Sequence, residues 1–160
     1  MSTSEIQVVT FGLDEEVFAV PVGLVREILD YCEPFHVPNG PAHFVGLTDV
    51  RGQGVPTVDF RLRMGLAAAE PTLATRIIIL DIPLADRTLS LGVVIDRVLG
   101  VSAFPCERIE QAPDIGIGWR SDYITGVIRE EAGFVVIVDV AHIFTTDDSV
   151  VVPQGSAKVA

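Results

Sequence analysis

Hydrophobic residues along this chain occur in short runs separated by turn-forming residues. β-branched and aromatic residues fill the first two runs, over 6–13 and 17–22, and the polar pair Asp14–Glu15 between them predicts a hairpin. The stretch 24–29 fits a helical turn or a strand equally well. Runs at 45–50 and 55–60 predict a second hairpin around Arg51-Gly52-Gln53-Gly54. The pattern is typical of a chain built mainly from short strands.

The pattern breaks at residues 67–75, AAAEPTLAT, which we interpret as a linker. Short helical turns are predicted after Phe60 and after Asp139, and the polar stretch 105–113 fits a short helix. A frayed tail is predicted over 145–160. Further strands are predicted beyond the linker at 76–82, 89–95, 98–104, 123–129 and 134–139.

The chain contains an internal repeat. Gly46 and Gly126 are 80 residues apart, as are Asp59 and Asp139, and each pair has the same place in a hairpin pattern. Phe18-Ala-Val-Pro-Val22 similarly resembles a run 73 residues later. We therefore predict two related halves, about 6–66 and 76–144, that form two small five-stranded barrels. Units of roughly 80 residues are marginally stable alone, so they should share an interface.

Composition narrows the possible partners. The chain has 160 residues, 49% of them hydrophobic, and a formal net charge of −11. This apolar content excludes global disorder, and the acidic balance argues against nucleic acid and against anionic membranes. No run approaches the ~18 apolar residues of a spanning helix, so no direct membrane insertion is expected. The short polar N-terminus is unlike a signal peptide, which favours a cytoplasmic protein with Cys32 and Cys106 as free thiols.

Two aspartates are candidates for catalysis. Asp59 and Asp139 each end an apolar strand and precede a predicted helical turn, so they could be paired catalytic carboxylates or helix N-caps. Their equivalence in the repeat favours capping. His142 has no Ser or Cys motif beside it, and therefore no catalytic triad is indicated.

Metal and phosphate sites are also poorly supported. Cys32 and His36 have the spacing C-x₃-H, with His43 nearby, but no second cysteine-rich arm completes a zinc site. The glycine pairs Gly52-x-Gly54 and Gly116-x-Gly118 lack the Lys-Ser/Thr of a phosphate loop, so they are better explained as turns. We predict no enzyme activity, no catalytic residues, no metal and no cofactor.

Glu27 and Arg51 are charged residues in apolar surroundings. Glu27 lies in Val25-Arg-Glu-Ile28, and Arg51 lies at a predicted hairpin tip. Each could be a solvated surface charge or part of a binding site, and their opposite signs suggest a hydrogen-bonded ion pair. An arginine at such a tip can bind a carboxylate through two parallel hydrogen bonds.

The motifs together resemble the CheW family of chemotaxis coupling proteins over about 6–144. The central block has the family's N-L-R-G-x-x-x-P-x-x-D-L-R form, with Asp49-Val50 in place of Asn-Leu and Phe60 in place of a leucine. Supporting matches are Val25-Arg-Glu-Ile28, the loop 37–44, Leu91-Gly-Val-Val-Ile-Asp-Arg-Val98 and Tyr123-Ile-Thr-Gly126.

The resemblance implies a mostly β fold of two packed five-stranded SH3-like barrels with short helices. It implies a non-catalytic adaptor that binds the cytoplasmic tip of a chemoreceptor and the regulatory domain of a CheA-like histidine kinase. It also implies recruitment to receptor arrays at the inner membrane face. By position, Val25, Glu27 and Arg51 correspond to receptor-binding residues, and Gly46 and Gly52 to kinase-binding residues.

Two alternatives stay open at this point. The chain could be a small acidic β-barrel that senses or binds a ligand, or the coupling protein of a non-flagellar chemosensory array. Co-purification with receptor and kinase fragments would separate the adaptor from a sensor domain.

Overall fold

The computed structural model describes residues 4–38, 40, 42–111, 123–131 and 133–144. Most described residues lie in strands, and the two α-helices, α1 (Phe60–Arg63) and α2 (Val140–Ile143), are single turns. The strands are β1 (Glu5–Leu13), β2 (Glu16–Pro21), β3 (Val25–Asp30), β4 (Phe44–Val50), β5 (Gln53–Asp59), β6 (Arg76–Pro83), β7 (Thr88–Ile95), β8 (Arg97–Pro105), β9 (Ile109–Glu110), β10 (Ile124–Glu130) and β11 (Gly133–Val138).

The predicted hairpins and the linker position agree with these elements. The ambiguous stretch 24–29 is resolved as a 3₁₀ turn over Val22–Leu24 followed by β3. Within the polar stretch 105–113 the described part holds a second 3₁₀ turn, Cys106–Arg108. The predicted tail 145–160 and the pair Gly116-x-Gly118 lie outside the described residues.

The strands form two sheets. The six-stranded sheet has the order β8-β1-β2-β11-β10-β9, and the five-stranded sheet has the order β3-β6-β7-β5-β4. Neighbouring strands run antiparallel except at β2–β11 and β5–β7, which are parallel. The predicted fold of two five-stranded, SH3-like units is confirmed, with β9 as a two-residue addition to one unit.

The repeat is visible in the strand pairing. Ile137 lies opposite Ala19 in one parallel pair, and Thr57 lies opposite Gly92 in the other. These positions are related by the same spacings of 80 and 73 residues that the sequence contains. The two sheets are thus copies of one arrangement.

The sheets do not coincide with the two sequence halves. The five-stranded sheet combines β3, β4 and β5 of the first half with β6 and β7 of the second, and the six-stranded sheet is mixed in the complementary way. Each half thus contributes strands to both sheets. The division at about 6–66, 67–75 and 76–144 stays a prediction about the repeat and is not the division into barrels.

Three apolar clusters hold the sheets together. The largest lies between the two sheets and includes Phe11, Phe60, Leu91 and Phe144. Smaller clusters fill each unit, around Ala19 and Ile137 in one and around residues 77 and 79 in the other. Alternate residues of a strand face opposite sides, so one strand supplies side chains to two clusters.

Candidate functional site

The hairpin between β4 and β5 turns through two residues, fewer than the four that the sequence suggested. Arg51 and Gly52 have φ of +54° and +86°, the left-handed values of a type I′ turn. The Asp49 side chain supports the turn, since its Oδ1 accepts a hydrogen bond from the Gly52 N–H at 2.9 Å. The asparagine-to-aspartate difference in the family motif therefore falls on a residue that shapes the hairpin tip.

Arg51 and Glu27 form the predicted ion pair. The guanidinium Nη2 donates to Glu27 Oε1 at 2.9 Å. The Arg51 side chain is 78% exposed and that of Glu27 is 20% exposed, so the carboxylate is fixed and the cation faces solvent. The interpretation of both residues as separate solvated charges is wrong.

The pair also shows how the five-stranded sheet is rolled. Glu27 is on β3 and Arg51 follows β4, yet β3 and β4 are the two opposite edges of this sheet. A backbone bridge between Phe35, just beyond β3, and Leu47 on β4 joins the same edges. The sheet curls round its inner cluster, and the ion pair lies at the seam.

Val25 and Glu27 do not share a face, although two residues of separation would place them together in a regular strand. Val25 lies opposite Leu80 and packs against the cluster between the sheets. Glu27 lies opposite Ile79, whose side chain belongs to the inner cluster. A β-bulge between Val25 and Glu27 causes the change of face.

The two predicted kinase-contact glycines have different surroundings. Gly52 is exposed, and a Cβ atom there would meet nothing within 4 Å. Gly46 is buried with φ of +139°, and a Cβ would lie 2.1 Å from the Phe35 carbonyl oxygen. The physical reason that we predicted for Gly46, open surface for a partner, is wrong. Gly46 allows two backbone segments of the same chain to approach.

Asp59 and Asp139 are helix caps, as the repeat indicated. Asp59 Oδ1 accepts from the Arg61 N–H at 2.9 Å, and Asp139 Oδ1 accepts from the His142 N–H at 3.1 Å. Burial raises the pKa of Asp59, and backbone hydrogen bonds from Leu62 and Arg61 oppose that increase. Each aspartate serves the start of a different helix, so they do not form one carboxylate pair.

Arg61 joins both units and was not singled out from the sequence. Its Nη1 donates to Asp14 Oδ1 at 2.6 Å and to Asp96 Oδ2 at 2.8 Å, and its Nε donates to the Ala67 carbonyl at 2.8 Å. Asp14 is in the β1–β2 turn and Asp96 lies between β7 and β8. The only available signal was the position of an arginine two residues after a capping aspartate.

The six-stranded sheet carries a groove of about 540 Å³ that the sequence did not indicate. Its apolar wall includes Phe104 and Phe134, and Phe134 is 49% exposed. Glu15, Glu16 and Glu130 supply an acidic rim. The wall comes from several strands, so no single sequence run could reveal it.

Other predicted chemistry has a simple outcome. Among the described residues no group of three or more His, Cys, Asp or Glu side chains could hold a metal ion. Cys32 and Cys106 are exposed free thiols, as expected. In the described ranges no helix has the length and apolar character needed to cross a membrane.

Comparison with solved structures identifies the fold. The chain superposes on the crystal structure of the scaffolding protein TtCheW from Thermoanaerobacter tengcongensis with a TM-score of 0.79. The match covers 91% of this chain and 92% of that chain at 22% sequence identity. The molecule is thus a two-unit β module of the architecture found in that scaffolding protein.

Sequence comparison gives the family. The model of the CheW-like domain matches residues 7–148, so the chain belongs to the CheW-like domain family. It is 27% identical over 142 residues to "Chemotaxis protein CheW" of Rhizobium meliloti (strain 1021), covering 89% of each chain. It is 28% identical over 152 residues to the protein of that name from Bacillus subtilis (strain 168), covering 92% of this chain and 94% of the relative.

Proposed function

We propose that this chain is a chemotaxis coupling protein, an adaptor that binds the cytoplasmic tip of a chemoreceptor and the regulatory domain of a CheA-like histidine kinase. The observation that carries the proposal is the match to the CheW-like domain over residues 7–148. Relatives named as CheW chemotaxis proteins that align over most of this chain support it. The adaptor acts in the cytoplasm, held at receptor arrays on the inner membrane face.

The receptor contact of the proposal uses Val25, Glu27 and Arg51. Arg51 projects into solvent from a rigid type I′ turn, and Glu27 holds its guanidinium at one Nη atom. The remaining N–H groups of the guanidinium are directed outward, where they suit carboxylates or carbonyls of a helical receptor tip. Val25 adds an apolar contact beside the cluster between the sheets.

The kinase contact is the second face that an adaptor needs. A contact between like-folded barrels calls for an apolar patch with a polar rim, and the Phe104–Phe134 groove has both. It is on the six-stranded sheet, whereas Arg51 is on the other one. Gly52 remains a predicted kinase contact as well, because it is exposed at the hairpin tip.

A reconstituted array with receptor fragments and kinase tests both faces. Arg51→Glu should abolish most receptor-dependent kinase activation while leaving the thermal melt and binding to the kinase regulatory domain unchanged. Phe134→Ser should weaken binding to the regulatory domain, and receptor-fragment binding should persist. The double exchange Glu27→Arg with Arg51→Glu should recover more activation than either single change, because the pair is re-formed with its charges reversed.

The outcomes separate the alternatives. Full activation by Arg51→Glu would remove Arg51 from the receptor contact. Loss of kinase binding in a Gly52→Ala variant but not in Phe134→Ser would move the kinase contact to the hairpin tip. Failure of the unmodified chain to bind either partner would favour the sensor-domain alternative over the adaptor, and activation of a kinase controlling pili rather than flagella would favour a non-flagellar array.

A further inference from the structure

Next to the proposed receptor contact, Arg26 is held by a cluster that the adaptor function does not itself require. Arg26 is the extra residue of the bulge in β3, between Val25 and Glu27, and has no partner residue on β6. Its guanidinium binds Asp81 with two bonds, Nε to Oδ2 at 3.1 Å and Nη2 to Oδ1 at 2.8 Å. Two parallel bonds fix the plane of the guanidinium as well as its position.

Ser90 completes this cluster. Its hydroxyl lies 2.9 Å from Arg26 Nη2 and donates to Asp81 Oδ1 at 2.8 Å. Asp81 on β6 and Ser90 on β7 are directly opposite each other in the strand pairing. We refer to Arg26, Asp81 and Ser90 as the bulge cluster. It connects three adjacent strands on the face of the sheet that also carries Ile79.

Glu27 is on the same face as the bulge cluster. It lies opposite Ile79, and Asp81 is two residues further along β6, so both carboxylates point to one side. The hydrogen bond from Asp81 raises the pKa of Arg26 most, and the negative charge of Glu27 adds a smaller contribution. Glu27 is therefore near enough to Arg26 to attract it.

Two arginines thus compete for one carboxylate. Arg51 reaches Glu27 through a single hydrogen bond and is 78% exposed. Arg26 is the immediate neighbour of Glu27 and carries the same charge. We propose that Asp81 and Ser90 sequester Arg26 from Glu27, and that this leaves Glu27 free to position Arg51 at the receptor contact.

The equivalent bulge in the other sheet supports a specific role for this cluster. The second bulge places Leu99 where the first has Arg26, since both residues lie between positions 73 apart in the repeat. Leu99 is exposed, and the Thr10 hydroxyl donates to the Gly100 carbonyl beside it at 3.1 Å. A bulge of this fold therefore forms without an arginine. The bulge cluster is not needed to make the bulge and has another use.

The test compares three variants of the full chain. Asp81→Asn removes the charge that holds Arg26 but keeps the side-chain shape. Arg26→Gln removes the competitor, and Arg26→Gln with Asp81→Asn removes both. Asp86→Asn is the matched control, because it deletes one exposed carboxylate on the neighbouring turn that is only 3.9 Å from Arg87. NMR of the arginine guanidinium groups in the isolated protein reports whether Arg51 remains bound to Glu27.

Asp81→Asn should release the Arg51 guanidinium, and receptor-dependent kinase activation should fall about two- to fivefold, the range for loss of one exposed ion pair. The double variant should recover the Arg51 signal and the activation, which loss of a purely structural contact would not do. Asp86→Asn should behave like the unmodified chain.

The opposite pattern overturns the proposal. If Arg26→Gln alone releases Arg51, or if the double variant is no better than Asp81→Asn, then the cluster supports the strand rather than sequestering Arg26. The inference rests on the proposed receptor contact only for its activation readout. A change in the Arg51 signal without a change in activation would confirm the sequestration and refute the receptor role of Arg51.

Discussion

At the residue scale, neighbouring charges of similar type have different roles because their surroundings differ. Asp59 caps a helix at a half-buried position, whereas Asp81 binds an arginine near the surface. Burial raises the pKa of Asp59, and the hydrogen bond from Arg26 lowers the pKa of Asp81. The two carboxylates should therefore affect stability with opposite dependence on pH.

For Asp59 the sign follows from its raised pKa. Between the ordinary aspartate value of about 3.9 and the raised value, the folded chain binds a proton that the unfolded chain has released. Asp59 thus lowers the free energy of unfolding as pH rises through this window. Asp59→Asn keeps a good capping side chain and cannot titrate, so its urea-unfolding profile should fall less steeply from about pH 4 upward.

Asp59→Ala is the control for the cap itself. It should be less stable than Asp59→Asn by about 1 kcal/mol at neutral pH, because alanine cannot accept the Arg61 and Leu62 N–H groups. An Asp59→Asn profile with the same slope as the unmodified chain would show that the carboxyl does not titrate differently on folding.

At the element scale, the repeated glycines explain how a strand passes close to another backbone. A Cβ at Gly46 would meet the Phe35 carbonyl, and one at Gly126 would lie 2.4 Å from Ile109 Cγ2 and 3.0 Å from the Glu110 carbonyl. Both glycines also lie at a register shift of their hairpin. The repeat therefore preserves a place of close approach.

Gly46→Ala should destabilise the chain by about 1–3 kcal/mol, from backbone strain at positive φ and from the clash with Phe35. Gly54→Ala on the next strand is the matched control, because its Cβ would find Leu47 at an ordinary 3.5 Å. It should change stability by less than about 0.5 kcal/mol. Equal melting curves for the two variants would contradict this account of Gly46.

At the scale of the whole molecule, the two units depend on each other through one core. Val58 and Val138 are 0% and 1% exposed and belong to the same cluster between the sheets. The prediction that they are buried at equivalent places is confirmed. Arg61 adds a polar connection between the units at the edge of that core.

Val58→Ala and Val138→Ala should each lower the free energy of unfolding by about 1–3 kcal/mol, from lost apolar transfer and a residual cavity. Because the core is shared, each variant should unfold in a single urea transition that remains the same by tryptophan fluorescence and circular dichroism. Two separate transitions in either variant would mean that the units fold independently.

The sequence by itself determined the local features of this protein. Alternation of apolar and polar residues predicted the strands, the capping aspartates were found from their place before a helical turn, and the spacing of Gly46 from Gly126 revealed the repeat. Opposite charges also suggested the Glu27–Arg51 pair. These features depend on a few consecutive residues, or on comparing one segment with another, so they are present in the sequence pattern.

Only the tertiary structure decided which strands pair. The exchange of strands between halves, the meeting of β3 and β4 at one seam and the close approach at Gly46 all depend on contacts between residues distant in sequence. The role of Arg26 belongs to the same class, because a bulge shifts every following side chain to the other face. Such choices are set by the total packing of both sheets, which no local pattern contains.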